Sequence, residues 1–548
     1  MRMLPVRTPP QQHPVPPSPP RAQPAQPQQQ PRPLPRVDAE QDHTRPTPPP
    51  GRTPADEPVE KPVEKPVEKP VEKPAAAGPT GSTRVWTNLR NRRPVLVAVA
   101  LVLVVALAGG VVFAVNSGLF SGDSDLATRA PAPPADVQLA VQAVDTSAPA
   151  ATASGVAAAL AGPLGNKNLG TLGGQVVDPA TGDVLWKNGE TTPMTPASSL
   201  KVFTAAAALL EMEHTSTLTT KVVAGPDPGT VVLVGGGDPT LSSLPEGEET
   251  VYPGAATLDD LVEQVRTATG GSVTKVLFDA SRYSGPSMEP TWEHLDIALG
   301  SISPIEPMML DGGRSVPTND TNPRTETPAA DVAGEFASRL GVTQVEAGRA
   351  AENAQVLGSV ESVPLSALVE NMLQISDNVL GEVIARELAI ETGGQPTFEG
   401  GVKAVRDVLA RSFQDMPMPQ NVDGSGLSAS NKVPAEAFTQ VLAMAASSRT
   451  DDDKVVKLRP LLTGLPVAGG SGTLAGRYRA PEVAGGKGWV RAKTGSLTDV
   501  NSLSGVVVDR DGRLLVFSFL SNTRNEANDD VRLALDGLTT ALRSCGCG

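Results

Sequence analysis

The chain has 548 residues, with 46 lysines and arginines against 60 aspartates and glutamates, and a formal net charge of −14. This acidic balance argues against a nucleic-acid partner. The length is sufficient for two domains. The only cysteines, Cys545 and Cys547, are expected in an unstructured tail at residues 544–548. There they could pair with each other or with another chain, and Cys-Gly-Cys lacks the further ligands of a metal site.

Residues 1–93 are rich in proline and glutamine, so they cannot form an apolar core and are predicted to be disordered. Within them, Pro58-Val59-Glu60-Lys61 begins four tandem copies of one tetrapeptide, ending at Lys73. A proline at every fourth position favours an extended spacer over a helix. The segment is interpreted as an inert tail, and a partner-binding tail remains the alternative.

Residues 94–115 form an uncharged, apolar run that is long enough to cross a bilayer. Four arginines precede the run, and no basic residue follows it before Arg129. The positive-inside rule therefore predicts a single-pass protein of the cell membrane, with a cytoplasmic tail at residues 1–93 and an extracytoplasmic enzyme. Residues 116–150 are expected to be the linker. A cleaved signal peptide is the alternative, but the run is long for one and no clear small-x-small cleavage site follows.

The remainder of the chain predicts an α/β sandwich with an antiparallel sheet. A helix over 152–160 is followed by a hairpin of 174–178 with 184–187. Helices are expected over 365–374, 380–390 and 529–543, and strands over 490–493, 502–508 and 514–520. The catalytic domain is assigned to residues 151–221 and 358–543. Residues 222–357 are predicted to be an inserted, β-rich domain, since strand-like runs occur at 231–234 and 276–278.

Three short motifs occur in order in the catalytic parts: Ser198-Ser199-Leu200-Lys201, Ser376-Asp377-Asn378 and Lys493-Thr494-Gly495. An apolar run with helical spacing follows Ser198, so that serine is expected at a helix N-terminus with Lys201 one turn further on the same face. A second Ser-x-x-Lys, which begins at Ser272, precedes a strand-like run and therefore does not share this geometry.

These residue types fit an acylating serine enzyme without a catalytic histidine. A serine hydroxyl is a poor nucleophile until a base removes its proton. Lys201 can be that base if burial or a neighbouring cation lowers its pKa, and Lys493 is the expected cation. Ser376 is placed to pass a proton to the leaving amine. Asn378 is expected to hold Lys201 and a substrate amide.

The third motif is expected to bind the substrate. Lys493 and Thr494 offer a cation and a hydroxyl for a substrate carboxylate. Gly495 has no side chain, which would let a substrate backbone lie close to the strand. The backbone N–H groups of Ser198 and Ser496 are the predicted oxyanion hole. Asp377 is interpreted as a structural ligand of its own loop. The chemistry uses no metal ion and no cofactor.

The motif set resembles the penicillin-binding proteins and serine β-lactamases. Further segments, namely 235–241, 279–283, 423–428 and 471–474, resemble more narrowly the D-alanyl-D-alanine carboxypeptidase/endopeptidase family, peptidase family S13, the class C low-molecular-mass penicillin-binding proteins. The resemblance covers roughly residues 150 to 543 and departs from the family pattern at Met308-Met309-Leu310. It implies cleavage of D-Ala-D-Ala ends or D-Ala cross-links of peptidoglycan stem peptides through an acyl-enzyme, and inhibition by β-lactams such as penicillin.

Two other functions remain open. A serine β-lactamase is disfavoured because no Glu-x-x-Leu-Asn segment, which class A enzymes use for deacylation, lies between Asn378 and Lys493. A catalytically silent wall-binding protein is disfavoured by the intact motifs. The balance between carboxypeptidase and endopeptidase activity stays undecided.

Overall fold

The computed structural model of the chain describes residues 148–523 and 528–548. The predicted tail (1–93), the predicted transmembrane segment (94–115) and nearly all of the linker lie outside these residues. Within the two described ranges, no helix has the length and apolar character needed to cross a membrane.

The described residues form ten strands and eleven α-helices. The strands are β1 (Thr171–Val177), β2 (Val184–Asn188), β3 (Thr219–Ala224), β4 (Thr230–Val234), β5 (Lys275–Asp279), β6 (Gln344–Ala347), β7 (Val356–Glu361), β8 (Val490–Leu497), β9 (Val500–Val508) and β10 (Leu514–Asn522). The helices are α1 (Ala153–Ala161), α2 (Lys201–Glu211), α3 (Leu258–Thr269), α4 (Leu295–Ala298), α5 (Pro328–Leu340), α6 (Leu365–Gln374), α7 (Asn378–Glu391), α8 (Phe398–Ser412), α9 (Ala435–Ala446), α10 (Asp453–Thr463) and α11 (Asn528–Ser544).

The first sheet is antiparallel and has the strand order β2-β1-β10-β9-β8. Strands β9 and β10 are buried along almost their whole length because helices cover both faces of the sheet. Helices α2 and α6 to α10 share a core with one face. Helices α1 and α11 pack against the other. The predicted sandwich with an antiparallel sheet is confirmed.

The second sheet is mixed and has the order β6-β5-β4-β3-β7. Strands β4, β5 and β6 are parallel, whereas β3 pairs in antiparallel fashion with both β4 and β7. The predicted domain boundaries, 222 and 357, fall within β3 and β7, the strands through which the chain enters and leaves this sheet.

The prediction that this region is β-rich is wrong, because helices α3 and α5 connect its parallel strands. Parallel neighbours require a crossover, and a helix supplies it. In α3, the buried residues Leu258, Leu261, Val262 and Val265 follow helical spacing, and Thr257 caps its N-terminus. The strand-like runs at 231–234 and 276–278 predict strands only, and this helical spacing between them shows that the region also contains helices.

The C-terminal residues are ordered against helix α1, which corrects the expectation of an unstructured tail. Cys545 and Cys547 form a disulfide and are both buried. The Cys547 carbonyl accepts hydrogen bonds from the backbone N–H of Thr152 at 2.7 Å and from its hydroxyl at 2.9 Å. A Cβ at Gly155 would lie 2.7 Å from that carbonyl, so glycine there makes room for the tail.

Candidate active site

Ser198 lies in a 3₁₀ turn, Ala197–Leu200, that runs directly into α2. The expected helix start is therefore a tighter turn, and Ala197 has a φ of 48°, a left-handed conformation that is rare for a residue with a side chain. Ser198 is partly exposed, whereas Lys201 is fully buried. The Lys201 Nζ lies 3.0 Å from the Ser198 Oγ, so the lysine can take the serine proton when it is neutral.

Two further acceptors hold the Lys201 amine. Its Nζ donates to the Asn378 Oδ1 at 2.6 Å and to the Ser425 carbonyl at 2.7 Å. The Asn378 contact is the one predicted, but the Ser425 contact was missed. The only sequence signal for it is the family resemblance of the 423–428 segment, which by itself assigns no role. Glu382 fixes that segment by accepting from the Gly424 and Ser425 N–H groups.

Burial lowers the pKa of Lys201 to about 8. The carboxylates of Asp377, Asp423 and Glu382 oppose this shift, and the Arg324 guanidinium adds to it. Burial also raises the pKa of Glu382 to about 8, with a further rise from Asp423. A lysine with this pKa is neutral in about one molecule in ten at pH 7, and a general base must be in this neutral form.

Lys493 contacts the second motif. Its Nζ donates to the Ser376 Oγ at 2.8 Å and to the Thr494 carbonyl at 2.9 Å. Lys493 is fully buried, and burial followed by the charge of Lys201 holds the pKa of Lys493 well below its usual range. The charge of Lys201 acts on Lys493, so the two lysines interact, and the role of Lys493 as the cation that lowers the pKa of Lys201 stays a prediction. The Arg324 guanidinium, which was not predicted, also lowers the pKa of Lys201.

Strand β8 is the outermost strand of the sheet in the described residues, with β9 on one side. On its other side Val467 pairs with Arg491, which covers the start of the outer edge and leaves the part at the third motif beyond that pairing. The Ala492 N–H points away from β9, since it donates to the Pro466 carbonyl at 3.0 Å. Successive backbone N–H groups of a regular strand point to opposite sides, so the N–H groups of Thr494 and Ser496 point away from β9, as that of Ala492 does. The Ser496 N–H therefore faces the side on which an oxyanion hole is predicted.

Gly495 makes room for the protein's own packing, a reason that was not predicted, and its predicted role beside a substrate backbone stays a prediction. A Cβ at this position would lie 2.3 Å from the Ser502 Oγ, 2.4 Å from the Pro196 carbonyl and 3.0 Å from the Ser199 N. The missing side chain thus lets β8 pack directly against the turn that carries Ser198.

A cleft of about 720 Å³ opens over these residues. The motif residues on its walls are Ser198, Ser376, Thr494 and Ser496, and the Thr494 hydroxyl contacts that of Thr473 at 2.8 Å. Further along, the cleft is lined by charged residues that the sequence analysis did not assign: Arg477, Arg479, Asp529, Asp530, Arg532 and Asp536. The three motifs, distant in sequence, therefore meet at one opening.

Asp377 does more than the predicted stabilisation of its own loop. Its Oδ1 caps α7 by accepting from the Leu380 N–H at 2.9 Å. Its Oδ2 is bound by Arg314 and Arg324 from the region of the second sheet. Burial alone would raise the pKa of Asp377, but the two guanidinium groups hold it well below its usual range.

The fold and the site together define a protein of the penicillin-binding class, in which a lysine stands where many serine hydrolases use histidine. The two histidines of the described residues lie elsewhere: His214 contacts the Leu209 carbonyl, and His294 lies beside Glu326. The chain belongs to the D-Ala-D-Ala carboxypeptidase 3 (S13) family, whose sequence profile matches residues 156–338 and 318–542. The predicted family is confirmed, and so is the enzyme class, a serine-type D-Ala-D-Ala carboxypeptidase.

Similarity extends to whole relatives. The chain is 45% identical to the carboxypeptidase DacB of Mycolicibacterium smegmatis, over 84% of this chain and 99% of the relative. It is 44% identical to a carboxypeptidase of Mycobacterium tuberculosis, over 76% of this chain and 91% of that relative. The crystal structure of penicillin binding protein 4 from Haemophilus influenzae has the same fold, with a TM-score of 0.56 at 20% identity, covering 71% of this chain and 98% of that one.

Proposed function

We propose that the chain is a membrane-anchored, extracytoplasmic serine D,D-carboxypeptidase and endopeptidase. It removes the terminal D-Ala from D-Ala-D-Ala ends of peptidoglycan stem peptides, or cuts D-Ala cross-links, through an acyl-enzyme on Ser198. The observation that carries the proposal is the 3.0 Å contact of the Lys201 amine with the Ser198 hydroxyl at the opening of the cleft.

In the acylation step, the Ser198 Oγ attacks the carbonyl carbon of the penultimate D-Ala while neutral Lys201 takes the serine proton. The carbonyl oxygen becomes an oxyanion between the N–H groups of Ser198 and Ser496. When the carbon–nitrogen bond breaks, the leaving D-Ala amine receives the proton that Lys201 took from Ser198, relayed through the Ser376 hydroxyl, which contacts Lys493, and Lys201 becomes neutral again. Water then attacks the ester carbonyl and gives a proton to Lys201. When the ester bond breaks, Lys201 returns that proton to the Ser198 Oγ, and the shortened peptide is released.

The binding roles follow from the same contacts. Lys493 and Thr494 bind the free carboxylate of the terminal D-Ala, and the outward edge of β8 receives the peptide backbone. Asn378 is held by the Ser301 carbonyl through its Nδ2, and its oxygen faces Lys201. Gly495 contributes by allowing the close packing of β8 on the Ser198 turn.

A peptide assay on the purified full-length protein tests the activity. Release of D-Ala from a stem peptide that ends in D-Ala-D-Ala, and its loss in Ser198→Ala, would support the proposal. Sustained turnover of penicillin with negligible peptide cleavage would favour a β-lactamase instead. Neither peptide cleavage nor penicillin labelling would favour a silent wall-binding protein.

The anchor rests on residues 94–115 and the arginines before them. Protease added to intact, wall-stripped cells should release a soluble fragment that still binds penicillin, and the proline-rich tail should survive inside. Digestion of the tail with protection of the enzyme would reverse the orientation.

A further inference from the structure

The second motif is held from outside the catalytic parts of the chain. Asp377 lies between Ser376, which contacts Lys493, and Asn378, which contacts Lys201. Its side chain is fully buried. The Oδ2 of Asp377 accepts from Arg314 at 2.5 Å, from the Tyr252 hydroxyl at 2.9 Å and from Arg324 at 3.2 Å. All three partners lie in the region between β3 and β7.

The two guanidinium groups are themselves fixed in position. Arg324 donates through Nε to the Gly300 carbonyl at 2.9 Å and through Nη1 to the Gly312 carbonyl at 2.7 Å. Arg314 donates through Nη1 to the Tyr252 hydroxyl at 2.5 Å and to the Asp311 carbonyl at 3.0 Å. The guanidinium group is planar and rigid, so these contacts fix the direction in which each arginine donates to Asp377, which a lysine amine would not do.

The backbone that Asp377 anchors is in an unfavourable conformation. Ser376 has a φ of 61°, in the left-handed region that costs on the order of 1 kcal/mol or more for a residue with a side chain. Such a conformation persists only where the surroundings fix it. The ion pairs on Asp377 and the Ser301 carbonyl on Asn378, at 2.9 Å, provide contacts of that kind.

We propose that Arg314 and Arg324 are positioning residues for the reaction, acting through Asp377 to hold Ser376 and Asn378 where the two lysines contact them. The inserted region is therefore part of the catalytic apparatus and not only a spacer. This inference rests on the proposed acylation of Ser198. It assigns to the inserted region a function that the three motifs do not reveal.

Charge gives the arrangement a second consequence. Two guanidinium groups face the Asp377 carboxylate, and the charge of one of them, Arg324, also acts on Lys201. Lys201 is also faced by Asp377 and Glu382 at the start of α7, by Asp423 and by Lys493. Arg324 is the guanidinium in this set that opposes protonation of Lys201, so its loss should move the pH profile of acylation to higher pH.

The test is the second-order rate of penicillin acylation of the full-length protein between pH 6 and about 10. Arg324→Gln should slow acylation by about tenfold or more and raise the midpoint of the pH profile by about half a unit or more. Arg324→Lys keeps the charge but loses the fork, so it should restore the midpoint while the rate stays low. Tyr252→Phe, a smaller change, should slow acylation about threefold or more without unfolding the protein.

The matched control is Arg339→Gln. Arg339 is another arginine of the same region, but it is paired with Asp259 and Glu335 and not with the motif. The acylation rate and the midpoint of the pH profile of this variant should match those of the wild type.

Folded Arg324→Gln and Tyr252→Phe proteins with a wild-type rate and midpoint would overturn the proposal. An equal loss in Arg339→Gln would also overturn it, because the effect would then be one of stability. Absence of Ser198 labelling in the wild type would instead refute the proposed function.

Discussion

The hydroxyl of Ser199 lies 2.8 Å from the hydroxyl of Ser502 on β9, and both are buried. Ser502 also donates to the Pro196 carbonyl at 2.6 Å. Hydrogen bonds from Ser502 therefore hold the turn against the sheet at Pro196 and at Ser199, on either side of Ser198. Because the surrounding contacts already fix this turn, little ordering remains to be done when a substrate binds, and pre-organisation of this kind favours the reaction.

Penicillin should consequently label Ser198. A β-lactam presents a reactive carbonyl, and the Ser198 Oγ is the hydroxyl at the cleft that contacts the Lys201 amine. Mass spectrometry of a digest after penicillin treatment should place the adduct on the peptide containing Ser198. The matched control is Ser272→Ala, which removes the serine of the second Ser-x-x-Lys at an exposed position just before β5 and should leave labelling unchanged. An adduct on Ser272 or Ser376 would contradict the assignment.

The rate of acylation should rise with pH. Lys201 acts as a base only when neutral, and its pKa is lowered to about 8, so the neutral fraction increases as pH rises through 8. We expect kcat/KM to increase about tenfold per pH unit below the midpoint and to level off above it. Stopped-flow measurement of penicillin acylation over pH 6 to about 10 would check this. A rate that is flat across this range would exclude Lys201 as the base.

Lys201→Arg should abolish most of the acylation. Arginine keeps the positive charge but does not lose its proton in this pH range, so the Ser198 proton has no acceptor. The expected loss is about three orders of magnitude or more. Circular dichroism and thermal unfolding would establish that the variant is folded. Near-normal acylation by a folded Lys201→Arg protein would mean that another group serves as the base.

The three motifs and the antiparallel sheet could be predicted because their signals are local. A Ser-x-x-Lys before an apolar helical run, or an apolar strand near a closing helix, can be recognised within a few residues. The Ser425 carbonyl and the Arg324 guanidinium could not be predicted in this way. Each joins the site across a long sequence separation, 224 residues to Lys201 and 53 to Asp377 respectively. An isolated arginine in a sequence is usually a solvated surface residue, and only the fold reveals that Arg324 is buried.

Removal of residues 545–548 should destabilise the folded domain. The deletion takes away two buried cysteines and the hydrogen bonds that the Cys547 carbonyl accepts at the start of α1. We expect the free energy of unfolding in urea to fall by about 1–3 kcal/mol. Deletion of Gly548 alone, which is exposed, is the matched control and should change little. A four-residue deletion with wild-type stability would show that the docked tail contributes nothing to folding.

The last prediction concerns the substrate carboxylate. Lys493 is buried beside Lys201 and its pKa is held well below its usual range, so a carboxylate that binds it would favour its protonated form. Repulsion between the two lysines would then favour neutral Lys201, so that substrate binding helps to prepare the base.

A peptide with a free terminal carboxylate should therefore react faster than its C-terminal amide, by about two orders of magnitude in kcat/KM. Thr494→Val, which keeps the side-chain shape but removes a hydroxyl at the cleft, should reproduce part of this loss for the free acid and little for the amide. Equal rates for the free acid and the amide in the wild type would show that the pocket tolerates a neutral terminus, and would favour the cutting of internal cross-links as the main activity.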